Sequence, residues 1–104
     1  MNNTPVFMIV NLIITDTEEY RLYEKGFFSI LKKYNGNFVT YDDKAEHLEG
    51  TSPREGRMII FSFPSEQNGK DWFADVEYQA LSEHRRAGTE MVSLTMVHGL
   101  PPRS

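Results

Sequence analysis

Three histidines, His47, His84 and His98, are the side chains of this sequence that titrate near neutral pH. They fall on three separate predicted elements, so no pair shares a helix face at metal-ligand spacing and no metal site is expected. His47 alternates with Glu49 along an extended segment, which places an imidazole and a carboxylate on one side, where they could orient a general base. The competing reading is an edge-strand pair facing solvent or a partner subunit. His84 follows Leu81 by three residues on an apolar helix face, as a packed, hydrogen-bonded histidine or as a buried base. His47, Glu49 and His84 are the catalytic candidates. His98 closes a strand as a boundary residue.

A second set of residues points to binding. Tyr78 and Arg85 stand one heptad apart on one helix face, a phenolic donor followed by an anion hook. Arg85 and Arg86 equally suit the negative end of the helix dipole. Trp72, Tyr20 and Tyr23 are core anchors or pocket walls. Asn11, Ser62, Ser93 and Thr95 are small polar residues on an otherwise apolar strand face, and buried polar groups need partners. They form an internal or intersubunit hydrogen-bond network with trapped water, or else the polar lining of a small-molecule cavity. That cavity would lie between sheet and helices or inside a barrel of two copies. No nucleophile elbow, phosphate loop or dinucleotide fingerprint appears, and no cofactor is expected.

The elements that must position these residues read in order. Val6–Ile14 is β-branched and nine residues long, a strand rather than the ~20-residue helix a bilayer requires. Thr15 with Glu18 fits a capping box, opening a helix that runs to about Tyr34 and stops at Asn35-Gly36. Its apolar residues Tyr20, Tyr23, Phe27, Ile30, Leu31 and Tyr34 share one face. Asn37–Tyr41 is a second strand, Asp42-Asp43-Lys44 a turn or bulge, and Glu46–Glu49 continues the pairing. Gly50–Gly56 is loop, and Arg57–Phe63 is a third strand. Ser65 caps a helix carrying Trp72 and Phe73. Asp75 recaps it after a kink near Ala74, for a segment from Val76 to about Ala87 ended by Gly88. Glu90–His98 is the last strand. The chain is a single domain, 1–104, with its core at 6–99 and a tail at 100–104.

This order predicts an α+β, ferredoxin-like βαββαβ unit, a four-stranded antiparallel sheet with helices on one face. Met8, Val10, Leu12 and Ile14 point one way along the first strand, and Phe7, Ile9, Asn11 and Ile13 the other. The third strand divides into Ile59, Phe61 and Phe63 against Met58, Ile60 and Ser62. The last divides into Val92, Leu94, Met96 and His98 against Met91, Ser93, Thr95 and Val97. Both sheet faces are therefore apolar, and the helices cover one. A second copy, sheet on sheet across a two-fold axis, is the economical cover. The predicted partner is the chain itself, as a homodimer.

Composition narrows the classes further. With 11 basic and 15 acidic residues the formal charge is −4, which opposes a phosphate-tracking nucleic-acid binder. Cysteine is absent, which excludes disulfides, thiolate metal sites and cysteine nucleophiles. No membrane association is expected, the Asn2-Asn3-Thr4 glycosylation match is incidental, and the expected location is cytoplasmic.

Several residues fall in the order and spacing of a small bacterial group. They are Tyr20-x-x-Tyr23, Gly36, Glu49-Gly50, Phe63-Pro64-Ser65, Trp72-Phe73, Glu77-Tyr78-Gln79, Arg85 and Gly99. The chain resembles the domain of unknown function 1330 family, within the dimeric α/β-barrel superfamily, from about Val6 to Gly99. Ser62 stands where that family typically has Glu, Asp75 where it usually has Ser, and Asn35 where it often has a first glycine. The last two preserve an N-cap and a left-handed turn. The resemblance implies the fold and the dimer. The expected function is a homodimer binding a small molecule between sheet and helices. The alternative is a cofactor-independent enzyme, of isomerase, decarboxylase or monooxygenase type, acting on an activated carbon acid. An interaction-only dimerisation module ranks third.

Overall fold

The apolar stretch Val6–Ile14 forms β1, an inner strand of the sheet. The computed structural model describes residues 4–101; the rest of the tail, 102–104, and most of the glycosylation match, 2–3, lie outside the described residues. After β1 come α1 (Thr17–Lys33), β2 (Asn37–Asp42), β3 (Arg57–Phe63), α2 (Glu66–Ala74), α3 (Val76–Gly88) and β4 (Thr89–His98). The strands pair antiparallel in the order β2-β3-β1-β4, which is the expected ferredoxin-like arrangement. Among the described residues no helix is long and apolar enough to cross a membrane.

The core lies between the helices and one sheet face. Val6, Met8, Val10 and Leu12 of β1 and Ile59, Phe61 and Phe63 of β3 are buried there against Tyr20, Tyr23, Phe27, Ile30 and Leu31 of α1. Trp72 and Tyr78 sit on either side of the α2–α3 junction with ring centroids 4.1 Å apart, and both are fully buried. Phe61 and Phe63 approach the Trp72 ring at 5.1 and 5.4 Å. These rings are among the largest side chains of the core.

Helix ends follow their caps. Ser65 Oγ accepts from the Asn68 N–H and starts α2, and an Asp75 carboxylate oxygen accepts from the Tyr78 N–H at 2.9 Å and starts α3. At α1 the expected capping box does not form. The N-cap is Asp16, whose Oδ1 accepts from the Glu19 N–H. The Thr15 and Asp16 N–H groups both donate to the Gly88 carbonyl, at 2.8 and 3.1 Å, and this holds Thr15 out of the helix. A Cβ at residue 88 would lie 2.9 Å from the Tyr20 nitrogen and 3.0 Å from the Asp16 oxygen, so glycine lets the end of α3 abut the start of α1.

Two strand expectations are corrected. Glu46–Glu49 does not continue the sheet; β2 ends at Asp42, and residues 43–56 form an exposed loop. In β4 a bulge breaks the alternation: Asn11 pairs with Ser93, but Leu12 pairs with Met91. Met91 therefore joins the helix-facing side, and Val92, predicted to face the core, is left about half exposed.

Candidate functional site

Between the sheet and α1 lies a cavity of about 80 Å³. Val10, Leu12, Ile59, Phe61 and Leu94 form its floor, Tyr20, Tyr23, Phe27 and Phe28 its α1 wall, and Phe38 and Tyr41 its β2 side. Arg57, Glu24 and Arg85 are the charged groups that line it.

Arg57 stands at the mouth and is paired with two carboxylates through three of its five N–H groups. Its Nε donates to Asp43 Oδ1 at 2.7 Å, Nη2 to Asp43 Oδ2 at 3.1 Å and Nη1 to Glu24 Oε2 at 3.1 Å. The guanidinium also lies 4.4 Å from the centroid of the Tyr41 ring. The bidentate bond to Arg57 holds the Asp43 carboxyl below its usual range and raises Arg57 itself. This cluster ties α1 to the start of the 43–56 loop and to the first residue of β3.

The inner wall is phenolic. Burial pushes the Tyr20 hydroxyl up to about 12, against a smaller opposing effect of Arg57. Tyr23 OH and Tyr78 OH share a buried hydrogen bond of 2.7 Å. Burial, and then Tyr78, hold Tyr23 well above its ordinary value. Tyr20 and Tyr23, the two tyrosines of the α1 wall, are thus neutral at physiological pH.

Arg85 differs from Arg57. It is 5% exposed, yet among the described residues no carboxylate lies within ion-pair distance of it, and its buried Nε has no hydrogen-bond acceptor. Its guanidinium lies over the Tyr23 ring, 5.8 Å from the centroid. A buried charge without a counter-ion is costly, and a cation–π contact offsets only part of that cost.

The residues singled out from the sequence separate into four places. Tyr20 and Arg85 line the cavity. Trp72 and Tyr78 do not reach it and support its wall from behind, Tyr78 through the Tyr23 hydroxyl. Asn11, Ser62, Ser93 and Thr95 lie on the sheet face away from the helices, with Asn11 opposite Ser93, Ser62 opposite Phe7 and Thr95 opposite Ile9. They do not line the sheet–helix cavity. Asn11 is buried under the 52–55 segment, its Nδ2 donating to the Glu55 and Arg57 carbonyls at 2.7 and 3.2 Å and its Oδ1 left without a partner. The Ser62 hydroxyl lies 3.5 Å from the Asn37 carbonyl.

The three catalytic candidates lie outside the cavity. His47 and Glu49 are in the exposed loop, where strand alternation does not apply, and His47 Nε2 meets the Gly50 carbonyl at 2.9 Å. His84 Nδ1 meets Glu19 Oε2 at 2.6 Å on the half-exposed seam between α1 and α3. His98, at the sheet edge, pairs with Glu66 at 2.8 Å. The groups missed from the sequence are Glu24, Tyr41 and Arg57. Arg57 carried a readable signal: period-two alternation places it on the same face as Ile59, Phe61 and Phe63, an inward arginine at the start of a core strand.

Comparison with solved structures extends the fold assignment. RPA0582 from Rhodopseudomonas palustris, described as a protein of unknown function, is 18% identical with a TM-score of 0.72, over 99% of this chain and 85% of that one. SnoaB from Streptomyces nogalater, described as a cofactor-independent oxygenase, is 10% identical with a TM-score of 0.62, over 97% and 96% of the two chains. A putative antibiotic biosynthesis monooxygenase from Nitrosomonas europaea is 8% identical with a TM-score of 0.52, over 100% and 97%. At these identities the likeness is one of fold. No functionally curated protein matches. The model of the family described as Domain of unknown function (DUF1330) matches residues 5–100, and the chain belongs to that family.

Proposed function

We propose that this protein is a homodimer that binds a small molecule in the cavity between sheet and helices. The observation that carries the reading is Arg85, a buried guanidinium on the wall of an otherwise aromatic cavity, with no acidic partner among the described residues. A protein interior supplies such a charge with a counter-ion unless something else does.

The second copy is argued from the open sheet face. Phe7, Ile9, Ile13, Met58, Ile60 and Val97 lie on it with Ser62, Ser93 and Thr95, and none of these carries a charge. Four strands and a nine-residue central strand give a footprint of about 19 by 30 Å. Two such faces remove at most about 1,100 Å², near the ~1,000 Å² expected of a specific interface. The charged residues on this face, Asp42 opposite Met58 and Glu90 opposite Ile13, lie on the two edge strands, so the inner strands offer an uncharged surface to a two-fold copy.

The test is a small-molecule thermal-shift screen paired with sedimentation at micromolar concentration. A saturable shift in a dimer is expected. A 12.1 kDa monomer refutes the dimer, and a dimer that no compound stabilises leaves the interaction-only module as the reading. The enzymatic alternative is favoured by the fold shared with SnoaB, described as a cofactor-independent oxygenase. A carbon acid needs a base, however, and the carboxylate reaching this cavity, Glu24, is held by Arg57 at 3.1 Å. Solvent-deuterium exchange into a bound carbon acid would establish that alternative.

A further inference from the structure

The two arginines of the cavity have opposite surroundings, and that contrast identifies a ligand class. Arg57 has its positive charge met by Asp43 and Glu24 and its flat face by Tyr41. Its charge is already met twice. Arg85 is more deeply buried and has no carboxylate among the described residues. A guanidinium stays protonated at any physiological pH, so the inner wall of the cavity carries a fixed positive charge with no direct ion-pair partner among the described residues, the carboxylate of the lining, Glu24, being taken up by Arg57.

We infer that the ligand is a small monocarboxylate whose carboxylate pairs with the Arg85 guanidinium and whose apolar body lies against Phe27, Phe61 and Leu94. The inference rests on the cavity-binding reading above. Planar, two-oxygen acceptors suit the guanidinium fork, and a single carboxylate neutralises a single charge. A phosphate ester would need further donors. The polar groups beside Arg85 are tyrosine hydroxyls, with no lysine, serine or threonine among the lining residues. Tyr20, a protonated phenol at neutral pH, adds a neutral donor without a second charge. The volume, about 80 Å³ where a single water needs ~10–15 Å³, has room for a small acid of a few carbons. A ring-bearing acid would have to displace the half-exposed Phe28 and Tyr41, and so break the Tyr41–Arg57 stack and the packing of Phe28 on Phe38.

The experiment titrates the intact protein at pH 7 with butyrate and with butyramide, its uncharged counterpart of the same shape. Binding is read by calorimetry and by the side-chain NMR resonances of Arg85. Butyrate is expected to bind saturably and to shift the Arg85 guanidinium signals, with butyramide weaker by about ten-fold or more, the scale of a hydrogen bond to a charged group. Arg85→Gln should abolish the preference and Arg85→Lys should keep part of it. The NMR readout on the unmodified protein stands even where Arg85→Gln fails to fold. Equal affinity for both compounds overturns the carboxylate assignment and leaves a cavity-binding protein. Binding of neither overturns the assignment too; phenol, a neutral apolar probe, then decides the cavity reading, which falls if phenol also fails to bind.

Discussion

The Tyr23–Tyr78 hydroxyl pair makes an unequal prediction about two nearly identical substitutions. The hydroxyls share one 2.7 Å bond, but their surroundings differ: Tyr78 is fully buried behind the wall, whereas Tyr23 lines the cavity. Tyr78→Phe leaves the freed hydroxyl on a residue that borders a space large enough for a water, so the loss should be near the net value of one hydrogen bond, about 0.5–1.5 kcal/mol. Tyr23→Phe strands the Tyr78 hydroxyl where water cannot reach. The cost should then approach full desolvation of that group, up to about 3 kcal/mol. The double variant removes both hydroxyls and should be more stable than Tyr23→Phe alone. Chemical denaturation of the four proteins measures this as a double-mutant cycle, with midpoints compared at constant m-value. If the singles cost the same, the cavity is not a hydrated space on the Tyr23 side. If the double variant is the sum of the singles, the bond contributes nothing.

Two further substitutions probe the frame around the site. The Tyr34 hydroxyl, then Lys33 and the Tyr78 N–H, hold the Asp75 carboxyl well below its usual range. A carboxyl depressed by folding contributes stability in full above its unfolded value, about pH 4, and loses it as pH falls further toward the folded value. Asp75→Asn keeps a capping oxygen but no charge, so its melting temperature should lie below the wild type's at pH 5–7 and converge with it toward pH 2; a constant gap refutes the assignment. At the end of α1, Asn35 takes the left-handed conformation, φ 61°, while a Cβ at Gly36 would enter the Leu31 side chain and the Phe63 ring. Gly36→Ala should therefore cost about 1–3 kcal/mol by overpacking and Asn35→Gly under about 0.5, measured by urea unfolding; equal effects would contradict this division of labour.

Much of the architecture was legible because period and cap act locally. The alternation of Ile59, Phe61 and Phe63, the Ser65 and Asp75 caps and the break at Ala74 need no tertiary information, and all appear in the structure. The failures are equally local. His47 and Glu49 alternate in a loop just as they would in a strand, and two residues carry too little pattern to tell the cases apart. Met91 and Val92 are both apolar, so the bulge that exchanges their faces leaves no mark on the hydropathy pattern. Tyr78 and Arg85 do share a helix, but a one-heptad spacing cannot say that Tyr23 intervenes between Tyr78 and the cavity. The partners that separate a spent arginine from a free one, Asp43 and Glu24 beside Arg57, come from another loop and another helix. Only the folded chain shows which charge is left over.

Asn11, on the outer face, belongs to the same construction as the cavity, although it does not line it. Its side-chain amide bonds the Glu55 and Arg57 carbonyls, so it fixes the end of the 43–56 loop from the outer face. Arg57 turns its guanidinium to the other side of the sheet, against Glu24, Asp43 and Tyr41 at the cavity mouth. One strand residue on the open face thus fixes the backbone that carries the mouth arginine. An apolar residue at position 11 would serve the sheet face as well, but it would leave those two carbonyls without this donor and the loop without its anchor. The amide is costly there, with Oδ1 buried and unpartnered. That cost is intelligible if the residue's task is to hold the mouth in place, which packing alone does not require.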